Sequence, residues 1–382
     1  MKLIMDILKK IKAIINPYVD QGIVSFGAVI ATKDGKEVFR YSYGYQDIDN
    51  KVPYSDKTIL RAFSCTKTFT AIAVFKCIEL GLFKLDDPIS KYFPSFKNPV
   101  VSINGEKSPA KREIIIKDLL DMRAGLTYPE FDSDTGKYAI GTDAKLAKNE
   151  LSTIEFVEQL GPTPLLFSPG ENYHYSYCAD VLGGLVAKTS GMSLRDFFKK
   201  YIFDQIGLKN TDFFVKEEHR NRIAKGYITR NGKLEAINHH SLGINTTGEN
   251  NPFESGGAGL FMTLDDLSRY AICLLNKTEG ILTEDTFKIL VEPEYSLNPT
   301  KIDNGYTYYN LMRHMLRPNE CAQECTMNEF GWDGMLGTFI IIDTTNNITF
   351  VAGFQSFDEI KWKIVHQLKD ELFKYLKGKK SA

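Results

Sequence analysis

The feature that most constrains this chain is where its strand-forming runs fall. Ile23–Thr32 and Lys36–Tyr43 flank Lys33-Asp34-Gly35 near one end, and Asp-Gly between two β-rich runs predicts an antiparallel hairpin. Near the other end Tyr306–Met312, Asn328–Trp332, Gly337–Asp343 and Ile348–Phe354 read as strands, with Asn346-Asn347 as the last turn. Amphipathic helices are expected at Met1–Asn16 and at about Glu359–Leu376, and the middle of the chain reads as helix and loop. One of its helices, Ser152–Leu160, starts on a capping box made by Ser152 and Glu155. The pattern predicts an α+β fold: an antiparallel sheet formed from both chain ends and flanked by helices, with a mainly helical inserted domain. The expected division is 1–80 with 250–382 for the sheet domain and 81–249 for the insert.

Composition narrows the partners. With 47 basic and 48 acidic side chains among 382 residues the formal charge is −1, and no basic face points to nucleic acid. No apolar run is long enough to span a bilayer, and Lys9, Lys10 and Lys12 interrupt what a secretory signal would need, so a cytoplasmic location is expected. The six cysteines are scattered, as free thiols of a reducing compartment would be, and Cys321 with Cys325 lacks a second ligand pair at zinc-site spacing. Neither a metal nor another cofactor is expected, and the partner is a small molecule. Ser255–Met262 is glycine-rich but has no phosphate-loop lysine. Two stretches without periodicity, Arg123–Asn149 and Arg222–Asn250, read as an irregular rim around a pocket.

Within the helix predicted to begin near Ser64, the run Ser64-Cys65-Thr66-Lys67 sets a hydroxyl and an ammonium on one face, three residues apart. A serine needs an adjacent base or a favourable field to become a nucleophile, and lysine can supply either. The residues that follow, Ala71-Ile-Ala-Val-Phe75, are apolar enough to bury the helix. A lysine in its first turn is then costly to desolvate unless a partner or a function holds it there.

Two further clusters join this one in order. Ser64-Cys65-Thr66-Lys67, Tyr175-Ser176-Tyr177 and Phe330-Gly331-Trp332-Asp333-Gly334 resemble the three motifs of the penicillin-binding-protein-like serine hydrolases, which include class C β-lactamases, D-alanyl-D-alanine carboxypeptidases and β-lactamase-like carboxylesterases. Pro169-Gly170 ahead of the tyrosine motif and Ser255-Gly256-Gly257 ahead of Thr263 look like connecting blocks of the same family. The resemblance implies an active site in the cleft between sheet and insert. There Ser64 is the acylated nucleophile, Lys67 its activator, and Tyr175 the group that takes the serine proton and passes it to the leaving group. It further implies an oxyanion hole from the backbone N–H groups of Ser64 and Met335. Tyr177, Trp332 and Gly334 are then expected to meet substrate, with Gly334 allowing its close approach to the strand. A lysine ammonium held against Tyr175 is expected to lower the phenol's pKa. Asp333, alternating to the opposite face, is expected in solvent.

Two departures bear on substrate. Trp332-Asp333-Gly334 stands where β-lactamases and carboxypeptidases of the family usually have Lys-Thr-Gly or His-x-Gly, and tryptophan cannot replace the cation that meets a carboxylate. Tyr177 stands where asparagine is usual. Trp-x-Gly resembles the family's esterases and acyl transferases, so a serine hydrolase of carboxylic esters is expected. The alternatives are a β-lactamase, carboxypeptidase or D-aminopeptidase, and a non-catalytic binding protein on the same fold.

Overall fold

The hairpin forms at Asp34-Gly35, where both residues take positive φ (+52° and +72°), the backbone that a tight two-residue turn between twisted strands requires. In this computed structural model, which describes residues 2–237, 251–295 and 299–378, it joins β1 (Phe26–Lys33) to β2 (Lys36–Asp47). The short β3 (Val52–Pro53) follows. The far end of the chain adds β4 (Thr300–Lys301), β5 (Tyr306–Tyr309), β6 (Met312–Met315), β7 (Phe330–Asp333), β8 (Thr338–Asp343) and β9 (Ile348–Gly353). Together they make one nine-stranded antiparallel sheet in the order β4-β5-β6-β7-β8-β9-β1-β2-β3. The two ends of the chain meet where β1 pairs with β9, from Ala28 opposite Gly353 to Lys33 opposite Ile348.

The central strands are buried on both faces, and period-2 alternation sorts their side chains between two cores. Val29, Ala31, Phe339, Ile341 and Phe350 face the terminal helices α1 (Lys2–Asp20) and α5 (Ile360–Lys377), which contribute Ile11, Ile15, Leu368 and Leu372. Ala28, Ile30, Ile340 and Val351 face the larger core, built from α2 (Thr66–Glu79), α3 (Cys178–Ser190) and α4 (Leu264–Leu275). Nearly every side chain of α2 from Thr66 to Phe75 is buried. The Ser152 capping box is present and opens the helix Thr153–Leu160. Among the described residues no helix is long and apolar enough to cross a membrane.

Three segments differ from the sequence reading. Tyr306–Met312 is a hairpin rather than one strand, turning at Asn310 and Leu311 (φ +49° and +63°); without a glycine the turn carries no local signal. The rim stretch Arg123–Asn149 holds a helix, Asp134–Leu146, capped by Ser133. Its buried face is mostly Thr135, Gly136, Ala139 and Thr142, small residues that leave no apolar periodicity to read. Arg222–Asn250 begins with a hairpin, Gly226–Arg230 and Lys233–Ile237, around Asn231-Gly232; residues 238–250 lie outside the described residues.

Candidate active site

Ser64 sits in a single 3-10 turn, Phe63–Cys65, that runs straight into α2. The turn is tight: Phe63 takes φ +44°, a conformation a bulky side chain adopts only when its surroundings force it. Those surroundings are the end of β7 and the start of β8. The Cys65 thiol donates to the Thr338 carbonyl (3.2 Å), and the α-carbon of Gly334 lies so near the Ala62 carbonyl that a Cβ there would stand 2.2 Å from its oxygen. Gly334 does line the cleft, but the close approach it permits is first of all that of the chain's own nucleophile turn. Ser64 and Met335 both line the cleft, and neither backbone N–H has an acceptor among the described residues.

Lys67 is fully buried and points its ammonium at three oxygens. It donates to Ser64 Oγ (3.2 Å), the Tyr128 hydroxyl (3.0 Å) and the Gly257 carbonyl (2.8 Å). None of these is charged, and burial pushes its pKa down to about 8, with Asp180 pulling the other way. Asp180 lies on the far side of the Gly257 peptide, accepting from Ser255 Oγ and the Gly257 N–H. A Cβ on Gly257 would meet that carboxylate at 2.5 Å, and one on Gly256 the Ala179 carbonyl at 2.5 Å, which is why the block reads Ser-Gly-Gly. Burial raises the Asp180 pKa and Lys67 lowers it.

Tyr175 lies beside this pair, its ring centroid 4.7 Å from Lys67 Nζ. The Trp332 indole N–H donates to its hydroxyl at 3.1 Å. Burial drives the phenol's pKa up, against smaller downward effects of hydrogen bonds with Ser64 and Trp332. The sequence expectation of a lowered phenol is therefore corrected: the ammonium faces the ring and not the hydroxyl, and desolvation dominates. A neutral indole N–H occupies the place beside the tyrosine where a cation was missing from the motif.

Two further expectations are corrected. Tyr177 is 1% exposed and does not reach the cleft. It packs behind Tyr128 and against Phe156, with its hydroxyl on Asp143 Oδ1. Asp333 is not in solvent: Arg313 of the neighbouring β6 holds it in a buried bidentate ion pair. Strand alternation places it on the face away from Trp332 but does not say what covers that face.

The residues brought together are Ser64, Tyr175, Trp332, Gly334 and Met335, around a cleft of about 530 Å³, with Lys67 buried behind Ser64. Its remaining wall is Phe63, Tyr128, Asp333 and Trp362. Tyr128, Asp180 and Trp362 were not singled out from sequence. Tyr128 follows Gly125-Leu126 inside the rim stretch with nothing to distinguish it from the other tyrosine there, Tyr138, and Trp362 is one aromatic of an amphipathic helix. Chemically, the arrangement offers a serine hydroxyl against a lysine of depressed pKa, a tyrosine hydroxyl beside it, and two unpaired amides.

The beta-lactamase family model matches residues 11–363. The chain belongs to the beta-lactamase family. Within this family it is 27% identical over 273 residues to proteins of Mycobacterium tuberculosis, an alignment covering 69% of this chain and 65% of theirs. It therefore spans just under two thirds of those relatives' length. A lovastatin esterase of Penicillium rubens is 29% identical over 301 residues, covering 75% of this chain and 70% of the esterase. Among solved structures, EstCE1, a hydrolase with promiscuous acyltransferase activity, superposes with a TM-score of 0.82 at 22% identity, over 98% of this chain and all of that one. At that identity the superposition establishes the β-lactamase-like fold.

Proposed function

We propose that this beta-lactamase family member is a serine hydrolase that cleaves carboxylic esters of small acyl groups through an acyl-Ser64 intermediate. The observation that carries the reading is the cleft wall. Phe63, Tyr128, Tyr175, Trp332, Met335 and Trp362 make it aromatic and apolar, and among the described residues lining it there is no arginine or lysine to meet a substrate carboxylate. A penicillin or a terminal D-alanine, each carrying a carboxylate, would leave that charge unpaired. The relatives named as lovastatin esterase and as esterase EstB support ester chemistry. We take residues 1–80 with 250–382 as the sheet unit and 81–249 as the insert, because among the described residues no strand of the large sheet comes from the insert.

In this mechanism the neutral amine of Lys67, accessible because its pKa is about 8, takes the Ser64 proton across 3.2 Å. Ser64 Oγ attacks the ester carbonyl, and the Ser64 and Met335 amides stabilise the oxyanion. Tyr175, which burial keeps protonated, gives its proton to the departing alkoxide as the C–O bond breaks. Relative to the motif expectation, the first proton transfer moves from Tyr175 to Lys67 and the second, to the leaving group, stays with Tyr175. Water then attacks the acyl-serine and gives its proton to the Tyr175 phenolate, and the Lys67 ammonium returns its proton to Ser64 Oγ as the acyl C–O bond breaks and the carboxylic acid leaves.

The test is direct. Incubation with a fluorophosphonate and, separately, with a penicillin, followed by mass analysis, should show rapid addition to Ser64 from the first only. p-Nitrophenyl acetate turnover should vanish in Ser64→Ala. Absence of labelling and of turnover in folded protein would remove the enzyme reading, and efficient penicillin hydrolysis would move it to the lactamase alternative.

A further inference from the structure

Behind Trp332 lies a second cavity of about 360 Å³ whose chemistry differs from that of the cleft. The two share Trp332, Asp333 and Trp362 as a common wall. They meet there because β6 pairs with β7 only at Arg313–Gly331 and His314–Phe330, so Trp332 and Asp333 have no strand beyond them on that side. Where the cleft is apolar, the second cavity presents Asn304, Gln323 and His366. Asn304 and His366 have no hydrogen-bond partner among the described residues, and Gln323 takes only a weak thiol contact from Cys321. Its two cations are already neutralised: Arg313 by Asp333, and Lys369 by Glu329, which also accepts from Tyr306. The remaining charge on its wall is the exposed carboxylate of Asp303. An anionic ligand would find no unpaired cation there.

The orientation of the reaction points the leaving group this way. The group proposed to protonate the departing alkoxide is Tyr175, and Tyr175 is hydrogen-bonded to the indole that walls the second cavity. An alcohol leaving beside Tyr175 has Trp332 next to it and the second cavity beyond. We propose that this cavity receives the alcohol portion of the ester, and that the alcohol is an uncharged, hydroxylated ring of monosaccharide size. The proposal rests on the acyl-Ser64 reading. The chain's two tryptophans both line the cavity and supply apolar aromatic contact for the C–H groups of such a ring. The amides and the imidazole supply hydrogen bonds to its hydroxyls. The ester C–O bond breaks as before, the acyl carbon staying on Ser64 and the sugar oxygen leaving with the Tyr175 proton.

The experiment compares esters with one acyl group. We expect kcat/KM for methyl 6-O-acetylglucoside to exceed that for cyclohexylmethyl acetate, an ester of a primary alcohol of similar size, by about tenfold or more, given several added hydrogen bonds. Asn304→Leu and Gln323→Leu should each lower that ratio about three- to tenfold. Independently, titrating Ser64→Ala with methyl glucoside should shift the tryptophan emission, because both indoles wall the cavity. Equal or poorer use of the sugar ester, or a ratio untouched by both substitutions, overturns the proposal. If p-nitrophenyl acetate is not turned over at all, the acyl-serine reading falls. The emission titration then still decides the cavity: a shift that Asn304→Leu and Gln323→Leu weaken supports sugar binding there, and no shift up to about 100 mM, or one that both substitutions leave unchanged, refutes it.

Discussion

Replacing Lys67 by methionine should abolish turnover while removing a burden on stability, and the burden has a pH signature. Burial holds the ammonium at a pKa of about 8, against 10.5 for an ordinary lysine. Because the folded value is the lower one, the unfolded chain binds more protons between these pH values, and wild-type stability rises with pH across that window. The gap corresponds to a penalty of about 3 kcal/mol at pH 7, falling to about 2 kcal/mol at pH 9. Lys67→Met removes the penalty but leaves the Gly257 carbonyl without its donor, a loss of about 1–3 kcal/mol that does not depend on pH. The absolute change is therefore a small difference of opposed effects. The change with pH is not: wild type should gain about 1 kcal/mol relative to the variant between pH 7 and pH 9. Equilibrium urea unfolding of both proteins at the two pH values measures it. A difference that stays constant, or that moves in the variant's favour, would mean that Lys67 is not held at a depressed pKa and would remove the argument for it as base.

The two tyrosines near Lys67 separate by role. Tyr175→Phe should lower kcat by about 10²–10⁴-fold, the range for a lost general acid, with little change in KM. Tyr128→Phe, which removes one of three acceptors for Lys67, should cost far less in steady-state assays on p-nitrophenyl acetate. Trp332→Phe keeps the aromatic wall but deletes the N–H to Tyr175; kcat should fall about fivefold, as for a hydrogen bond of about 1 kcal/mol, and a fall confined to KM would show that the indole acts only in binding. Gly334→Ala sets a methyl against the Ala62 carbonyl and should destabilise by about 1–3 kcal/mol, read as a lower urea midpoint together with lost Ser64 labelling.

How much of this could be read in advance depends on the range of the interaction. Ser64 and Lys67 are local: helical spacing alone puts them on one face. The hairpin at Asp34-Gly35 and the Ser152 cap are local in the same way. Tyr175 and Trp332 needed the order of three motifs, and the hydrogen bond between them spans 157 positions. Tyr128 and Asp180 belong to the site only because the rim stretch and α3 close over α2, and no neighbour in the chain marks them. Asp333 was misread for a related reason, since alternation assigns a face but the arginine covering it arrives from another strand. Tyr177 was misread because its motif position suggested substrate, whereas Tyr128, unrecognised, stands in front of it.

The pairing of β1 with β9 carries a consequence for how the molecule is made. Thr32 and Thr349, hydrogen-bonded side by side in the centre of the sheet, are 317 positions apart. Emerging from a ribosome long before β9, the β1–β2 hairpin exposes one long apolar edge, and nothing made in the roughly 300 residues between β2 and β9 pairs with it, because its partner is β9. Ser64 likewise waits for Thr338 and Gly334 before its turn has a partner. Expression at low temperature or with holdase chaperones, which shield such an edge, should therefore raise the yield of soluble protein more than any change near the catalytic residues.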